Sequence, residues 1–116
     1  VTARPETAYK VLTADQMRAL EADRFEGAPI DLSDGYIHLS TRDQLTETVD
    51  RHFAGQLDLW VAAIDLSALG DTVRWEESRG GAQFPHIYGA MPLETVIAYG
   101  PLERDDDDTV RLPVAG

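Results

Sequence analysis

The sequence contains no cysteine, and its apolar residues never run on for the roughly 20 positions that a membrane-crossing helix needs. Disulfide stapling, a thiolate nucleophile and a helical membrane span are thereby excluded. Basic residues are scarce: ten Lys and Arg stand against 21 Asp and Glu, a formal net charge of -11. Such a field disfavours docking on a nucleic-acid backbone, yet leaves room for one locally basic pocket and a nucleotide-sized anionic ligand. No basic, apolar leader is seen, so a cytoplasmic location is the expectation. The run Asp105-Asp106-Asp107-Asp108 lacks the spaced acids and the turn glycine of a calcium loop, and reads as a solvated turn. With 116 residues, one core is feasible and two independent domains would each be marginal. The expected organisation is a single domain over 1–116, with a core at 8–103, an acidic turn and short extension at 104–116, and dispensable ends.

Hydrophobic periodicity divides the chain into short elements. Tyr9 to Leu12 reads as a first strand, and Thr13-Ala14-Asp15-Gln16 has capping-box spacing ahead of a helix over about 14–24, with Met17, Leu20 and Phe25 inward. Gly27, Pro29 and the polar segment 31–34 read as a turn. A strand at about 35–40 alternates, with Ile37 and Leu39 towards the core and Tyr36, His38 and Ser40 on the opposite face. Thr41-Arg42-Asp43-Gln44 repeats the capping box, and Leu45, Val49 and Phe53 mark a second helix ending near Gly55. Leu57 to Ile64 is the expected central strand, followed by strands at 73–76, at the segment around 84–88 and at 95–99, with a short final one at 110–112. Pro85 favours an edge or strand-start position. The fold class expected is α+β, with five to seven short strands and two main helices.

Two histidine-bearing stretches carry the candidate chemistry. His38 can exchange a proton near neutral pH or orient a ribose hydroxyl or phosphate, with Tyr36 and Ser40 adjoining it on the same strand face. His86 lies between Phe84 and Tyr88 on its face, a pattern suited to stacking a planar ring while the imidazole reads its polar edge. In the strand at 73–76, Arg74 and Glu76 share one face and Trp75 the other, so Trp75 supports the core if Glu76 lines a pocket. His86 or Glu76 is the candidate proton-handling group. Arg42, in the first turn of the second helix, and Arg79, beside Gly80-Gly81, are within reach of a phosphate. Core packing for Phe84 and helix entry for Ser40 explain those letters better than a site role does, and surface charge balance explains the two arginines at least as well. A zinc site assembled from His38, His86 and Glu76 has no supporting ligand spacing, and no metal is expected. No serine sits in a nucleophile elbow.

The ordered combination of Gly35-Tyr36-Ile37-His38-Leu39-Ser40-Thr41, Asp43-Gln44-Leu45, Arg74-Trp75-Glu76 and Gly80-Gly81 leading into Phe84-Pro85-His86-Ile87-Tyr88-Gly89 closely resembles the DUF952 family of small bacterial proteins, over about residues 8–103. This resemblance implies a split antiparallel β-sheet fold similar to that of ADP-ribosyltransferases and RNA 2'-phosphotransferases. In the latter branch a histidine followed by a leucine-serine pair helps form the ligand cleft, and His38, Leu39 and Ser40 match it. The chain departs from both enzymes: its late segment offers His86 and Tyr88 instead of the late carboxylate of transferases, and its acidic balance lacks an arginine-rich RNA surface. The implied function is binding of a nucleotide or NAD-derived small molecule in a histidine-lined cleft, with NAD or ADP-ribose as a possible ligand and no cofactor required. A small-molecule transferase or hydrolase using the same cleft is one alternative, and a non-enzymatic protein-interaction module is another. No protein partner is indicated.

Overall fold

Nine regular elements follow from these patterns in the computed structural model, which describes residues 5–113 except for the side chain of Arg79. Strand β1 (Thr7–Leu12) leads into helix α1 (Ala14–Glu21), where the Thr13 side chain and Gln16 cap each other reciprocally. Helix α2 (Pro29–Asp34) and the two-residue strand β2 (Ile37–His38) precede α3 (Arg42–His52), whose Gln44 side chain caps Thr41. Then come β3 (Trp60–Asp65), β4 (Val73–Glu77), β5 (Gln83–Ile87) and β6 (Val96–Pro101). The architecture is α+β, with two antiparallel three-stranded sheets ordered β1-β3-β6 and β2-β5-β4. Backbone bonds between Tyr9 and Ser40, at 2.8 and 2.9 Å, tie the edge of the first sheet to the second.

The first sheet separates two apolar clusters. Ala8 and Leu12 of β1, with Ala62 and Ile64 of β3, face Met17 and Leu20 of α1 and the inner side of the second sheet, represented by Ile37, Leu39 and Ile87. Val11 and Val61 face the other way, onto Leu45 and Val49 of α3. In the second sheet Trp75 packs against the first cluster, as its alternation with Arg74 and Glu76 anticipates. The complementary face, carrying Tyr36, His38, Arg74, Glu76, Phe84, His86 and Tyr88, is turned away from that core.

Several expectations are corrected. There are three helices among the described residues rather than two, because the segment read as a turn is α2: Pro29 occupies its first turn, and the Asp31 carboxylate reaches back 2.8 Å to the Ala28 N–H. Gly35, with φ of +87°, closes α2 in the left-handed region and turns the chain into β2. The strand expected at 35–40 stops at His38, after which Ser40 leaves β5 to bridge β1. Pro85 lies in a central strand, not at an edge. Its carbonyl accepts from Leu39 N–H at 3.1 Å, so its ring nitrogen faces the point where β2 has already ended and no ladder donor is required there. The strand expected at 110–112 is reduced to one bridge between Arg104 and Val110. That extension is not a loose end, since Val110 is buried in the second cluster and its N–H donates to Thr46 Oγ1 at 3.0 Å. Its acidic run is a turn, in which Asp107 accepts from the Thr109 N–H and Arg111 pairs with Asp105. No helix among the described residues is long and apolar enough to cross a membrane.

Candidate functional site

β2, β5 and β4 bring the two histidines together. Antiparallel pairing sets His38 opposite His86 and Arg74 opposite His86 on the other side, which places three polar side chains in one row across the sheet. The imidazole centroids are 5.2 Å apart. Tyr36, just beyond Gly35, lays its ring over this row at 4.6 Å from His38 and 4.3 Å from His86, the latter nearly stacked. Tyr88 continues the array, 5.1 Å from Tyr36, with the Arg74 guanidinium 4.6 Å over its ring.

The two histidines have different partners. His86 is 5% exposed, and its Nδ1 lies 2.7 Å from Glu76 Oε1, the same oxygen that accepts the Tyr88 hydroxyl at 2.8 Å. Hydrogen bonds from His86 and then Tyr88 hold the Glu76 carboxyl below the ordinary glutamate range. Glu76 in turn raises the Tyr88 phenol, first through that hydrogen bond. An ionised carboxylate only accepts, so Nδ1 carries the proton and, in the neutral ring, Nε2 carries the lone pair. His86 Nε2 has no hydrogen-bond partner among the described residues, and none of their buried side-chain nitrogen or oxygen atoms is unpaired. That nitrogen is therefore not fully enclosed, although the His86 side chain as a whole is only 6% exposed. His38, by contrast, is engaged at both ends: Nδ1 at 2.7 Å from Asp31 Oδ1 and Nε2 at 3.0 Å from Asp34 Oδ2. Burial raises the Tyr36 phenol, and Asp34 and Glu76 raise it further.

Beneath His38 lies a buried ion pair. Lys10 occupies the inward register of β1 between Ala8 and Leu12, and its Nζ reaches Asp31 Oδ2 at 2.8 Å and the His38 carbonyl at 3.0 Å. Lys10 and Asp31 are 6% and 2% exposed. Asp31 also accepts from the His38 N–H at 3.1 Å, in addition to the His38 ring and the Ala28 N–H. Burial alone would push the Asp31 carboxyl up, but the His38 hydrogen bond, the Lys10 charge and the remaining donors outweigh it and bring it down to about 2. Burial lowers the Lys10 ammonium, against the attraction of Asp31.

A carboxyl depressed in the folded state adds stability that is present above its unfolded pKa and is lost as pH falls through its folded one. Asp31 should thus contribute roughly 2 kcal/mol at neutral pH, lost between about pH 4 and pH 2. Urea unfolding of the wild type and Asp31→Asn across that interval checks this: the gap between them should narrow on acidification.

The remaining candidates fall elsewhere. Ser40 is 4% exposed, and its Oγ lies 2.8 Å from Thr48 Oγ1. Thr48 donates to the Gln44 carbonyl, so the Ser40 hydroxyl donates to Thr48 and is committed to α3. Arg42 is exposed at the start of α3, with its Nε 3.5 Å from Asp43. Phe84 is half-buried on the face of His86, opposite Glu76. The Arg79 side chain lies outside the described residues. Lys10, Asp31 and Asp34 were not foreseen, and Arg74 was read only as sharing the face of Glu76. The available signals were a lysine at an inward register between Ala8 and Leu12, and Asp31 three residues after Ala28 at helix-cap spacing. No group of three or more His, Asp or Glu side chains among the described residues is arranged to hold a metal.

The family described as protein of unknown function (DUF952) matches residues 11–99, a span that includes both histidines, Glu76 and most of both sheets. The chain belongs to the DUF952 family. Among solved structures of similar proteins, the crystal structure of protein CC0527 from Caulobacter crescentus is 40% identical, with a TM-score of 0.82 over 91% of this chain and 94% of that one. The solution NMR structure of CC0527 is likewise 40% identical, with a TM-score of 0.76 over 91% of each chain. No curated protein matches. The DUF952 arrangement seen here thus has a fold shared with a bacterial relative, and its chemistry is to be read from the site itself.

Proposed function

We propose that the outer face of the second sheet binds a nucleotide or another NAD-derived small molecule, with His86 meeting a ligand hydroxyl. The observation that carries this reading is the geometry of one ring: Nδ1 lies on the Glu76 carboxylate, and Nε2 has no partner among the described residues, so that in the neutral ring it is a free acceptor. A ribose hydroxyl is a suitable donor to that nitrogen, and the rings of Tyr36 and Tyr88 beside it are suitable neighbours for a planar base. This reading follows the cleft that the sequence resemblance to ADP-ribosyltransferases implies, with a different division of labour. His38 supports the site through Asp31 and Asp34, and Ser40 supports it through Thr48, while His86 receives the ligand.

The same geometry favours a second reading, that of a transferase or hydrolase. A carboxylate that orients a histidine and fixes its tautomer is the usual preparation of a general base, and Tyr88 on the same Glu76 oxygen steadies that carboxylate. In this role His86 would take the proton of a ligand hydroxyl or water. A protein-interaction module would separate the histidines or lock both internally. Here they converge, and only His38 has both ring nitrogens engaged.

A backbone-amide NMR titration with NAD, ADP-ribose and AMP tests the binding reading. Saturable shifts clustered at residues 36–38, 74–76 and 84–88 are expected. No saturable response to any of the three at millimolar concentration overturns it.

A further inference from the structure

We infer that Arg74 is the phosphate anchor of this face, so that the ligand it takes is a phosphorylated nucleotide and not the corresponding nucleoside. The inference rests on the reading of the His86 face as a ligand site and names what that site selects. Of the two arginines expected to meet phosphate, Arg42 stands at the start of α3 against Asp43, and the described face contains Arg74 instead.

Three observations place Arg74 in that role. It pairs across the sheet with His86, so the two side chains leave adjacent strands on the same face. Its guanidinium lies over the Tyr88 ring at 4.6 Å, and Tyr88 is itself held by the Glu76 hydrogen bond, so the cation rests on a fixed support. It also makes no hydrogen bond or ion pair among the described residues, whereas Arg18, Arg51, Arg104 and Arg111 each engage a carboxylate. In a chain of formal charge -11, an uncommitted guanidinium on the strand that pairs with His86 is the local basic feature that an anionic ligand requires. A guanidinium held over an aromatic ring makes no hydrogen bond to it, so its N–H groups remain available to two oxygens of one phosphate. The nearby Glu76 charge weakens the field, so recognition depends on direct contact rather than on long-range attraction.

The test titrates AMP and adenosine separately into the full chain and into Arg74→Gln, with Arg74→Lys as the charge-keeping variant. The wild type should bind AMP about tenfold more tightly than adenosine. Arg74→Gln should weaken AMP far more than adenosine, bringing the two affinities close together, and Arg74→Lys should retain part of the difference. Arg74 is exposed, and unchanged amide shifts away from this face will confirm that the variants fold. Equal wild-type affinities for AMP and adenosine, or an Arg74→Gln effect of the same size on both, overturn the anchor while leaving the ligand face standing. Failure of the wild type to bind either molecule overturns the ligand face and the anchor together.

Discussion

Replacing Asp31 with alanine is expected to lower the unfolding free energy by about 3–5 kcal/mol, a large part of the roughly 5–15 kcal/mol that holds a domain of this size. The substitution leaves a buried Lys10 ammonium facing apolar neighbours with only the His38 carbonyl to receive it. It also orphans the Ala28 N–H that caps α2 and two donors of His38. Asp31→Asn should cost less, because the amide oxygen can still accept from some of these donors, while the Lys10 charge loses its counter-ion. Lys10→Met in the Asp31→Leu background removes both charges, and replacing a buried pair by apolar groups of similar volume should recover much of the loss. Urea denaturation of the wild type and these three variants measures the differences. Equal stability of wild type and Asp31→Ala would contradict the assignment of Asp31 as the hub joining β1, α2 and β2.

His86→Gln and Glu76→Gln are expected to act on the ligand more than on the fold, and in different ways. Removing the imidazole removes the acceptor offered to the ligand hydroxyl, so affinity for AMP or ADP-ribose should fall by about ten- to hundredfold. Glu76→Gln keeps the shape but substitutes an amide that can donate as well as accept. The His86 tautomer is then no longer fixed, and the Tyr88 hydroxyl loses its ionic acceptor. A loss of about tenfold is expected for this variant, with its unfolding midpoint close to wild type, because the Glu76 side chain is 38% exposed. Calorimetric binding and thermal unfolding, measured on the same preparations, separate the two effects. If a turnover assay is found, a variant that still binds but no longer turns over would assign His86 to proton transfer and not merely to recognition.

The parts of this arrangement that alternation could reveal were legible before the structure. Ile37 and Leu39 point inward, Trp75 supports the core opposite Glu76, and Phe84, His86 and Tyr88 share a face, because each depends only on the period of a strand. The spacing of Leu45 and Val49 likewise fixed the buried side of α3. What was hidden depended on contacts between elements. Asp31 reads as one polar residue in a polar turn until α2 is seen to lie over Lys10 and His38. Lys10 is one charge in a short strand, and its inward register matters only once a counter-ion from another element is in view. Ser40 was placed beside His38 by strand period, and it departs from that period because the chain leaves β5 after Leu39 and crosses to Tyr9. Pro85 suggested an edge, and a central position became possible only because β2 is two residues long. Arg74 was placed on the correct face, but its nearness to His86 required the β4–β5 register.

The central claim is that Glu76 holds a proton on His86 Nδ1, so that the neutral ring offers Nε2 to a ligand hydroxyl. Nitrogen-resolved NMR of the imidazole rings at neutral pH, recorded while AMP is titrated into the full chain, tests this most directly. The expected result is a His86 ring protonated at Nδ1 from the outset, with the Nε2 resonance moving saturably as ligand is added and Nδ1 keeping its proton. A ring protonated at Nε2 before ligand is added, or an Nε2 resonance unmoved at millimolar AMP, would contradict the account.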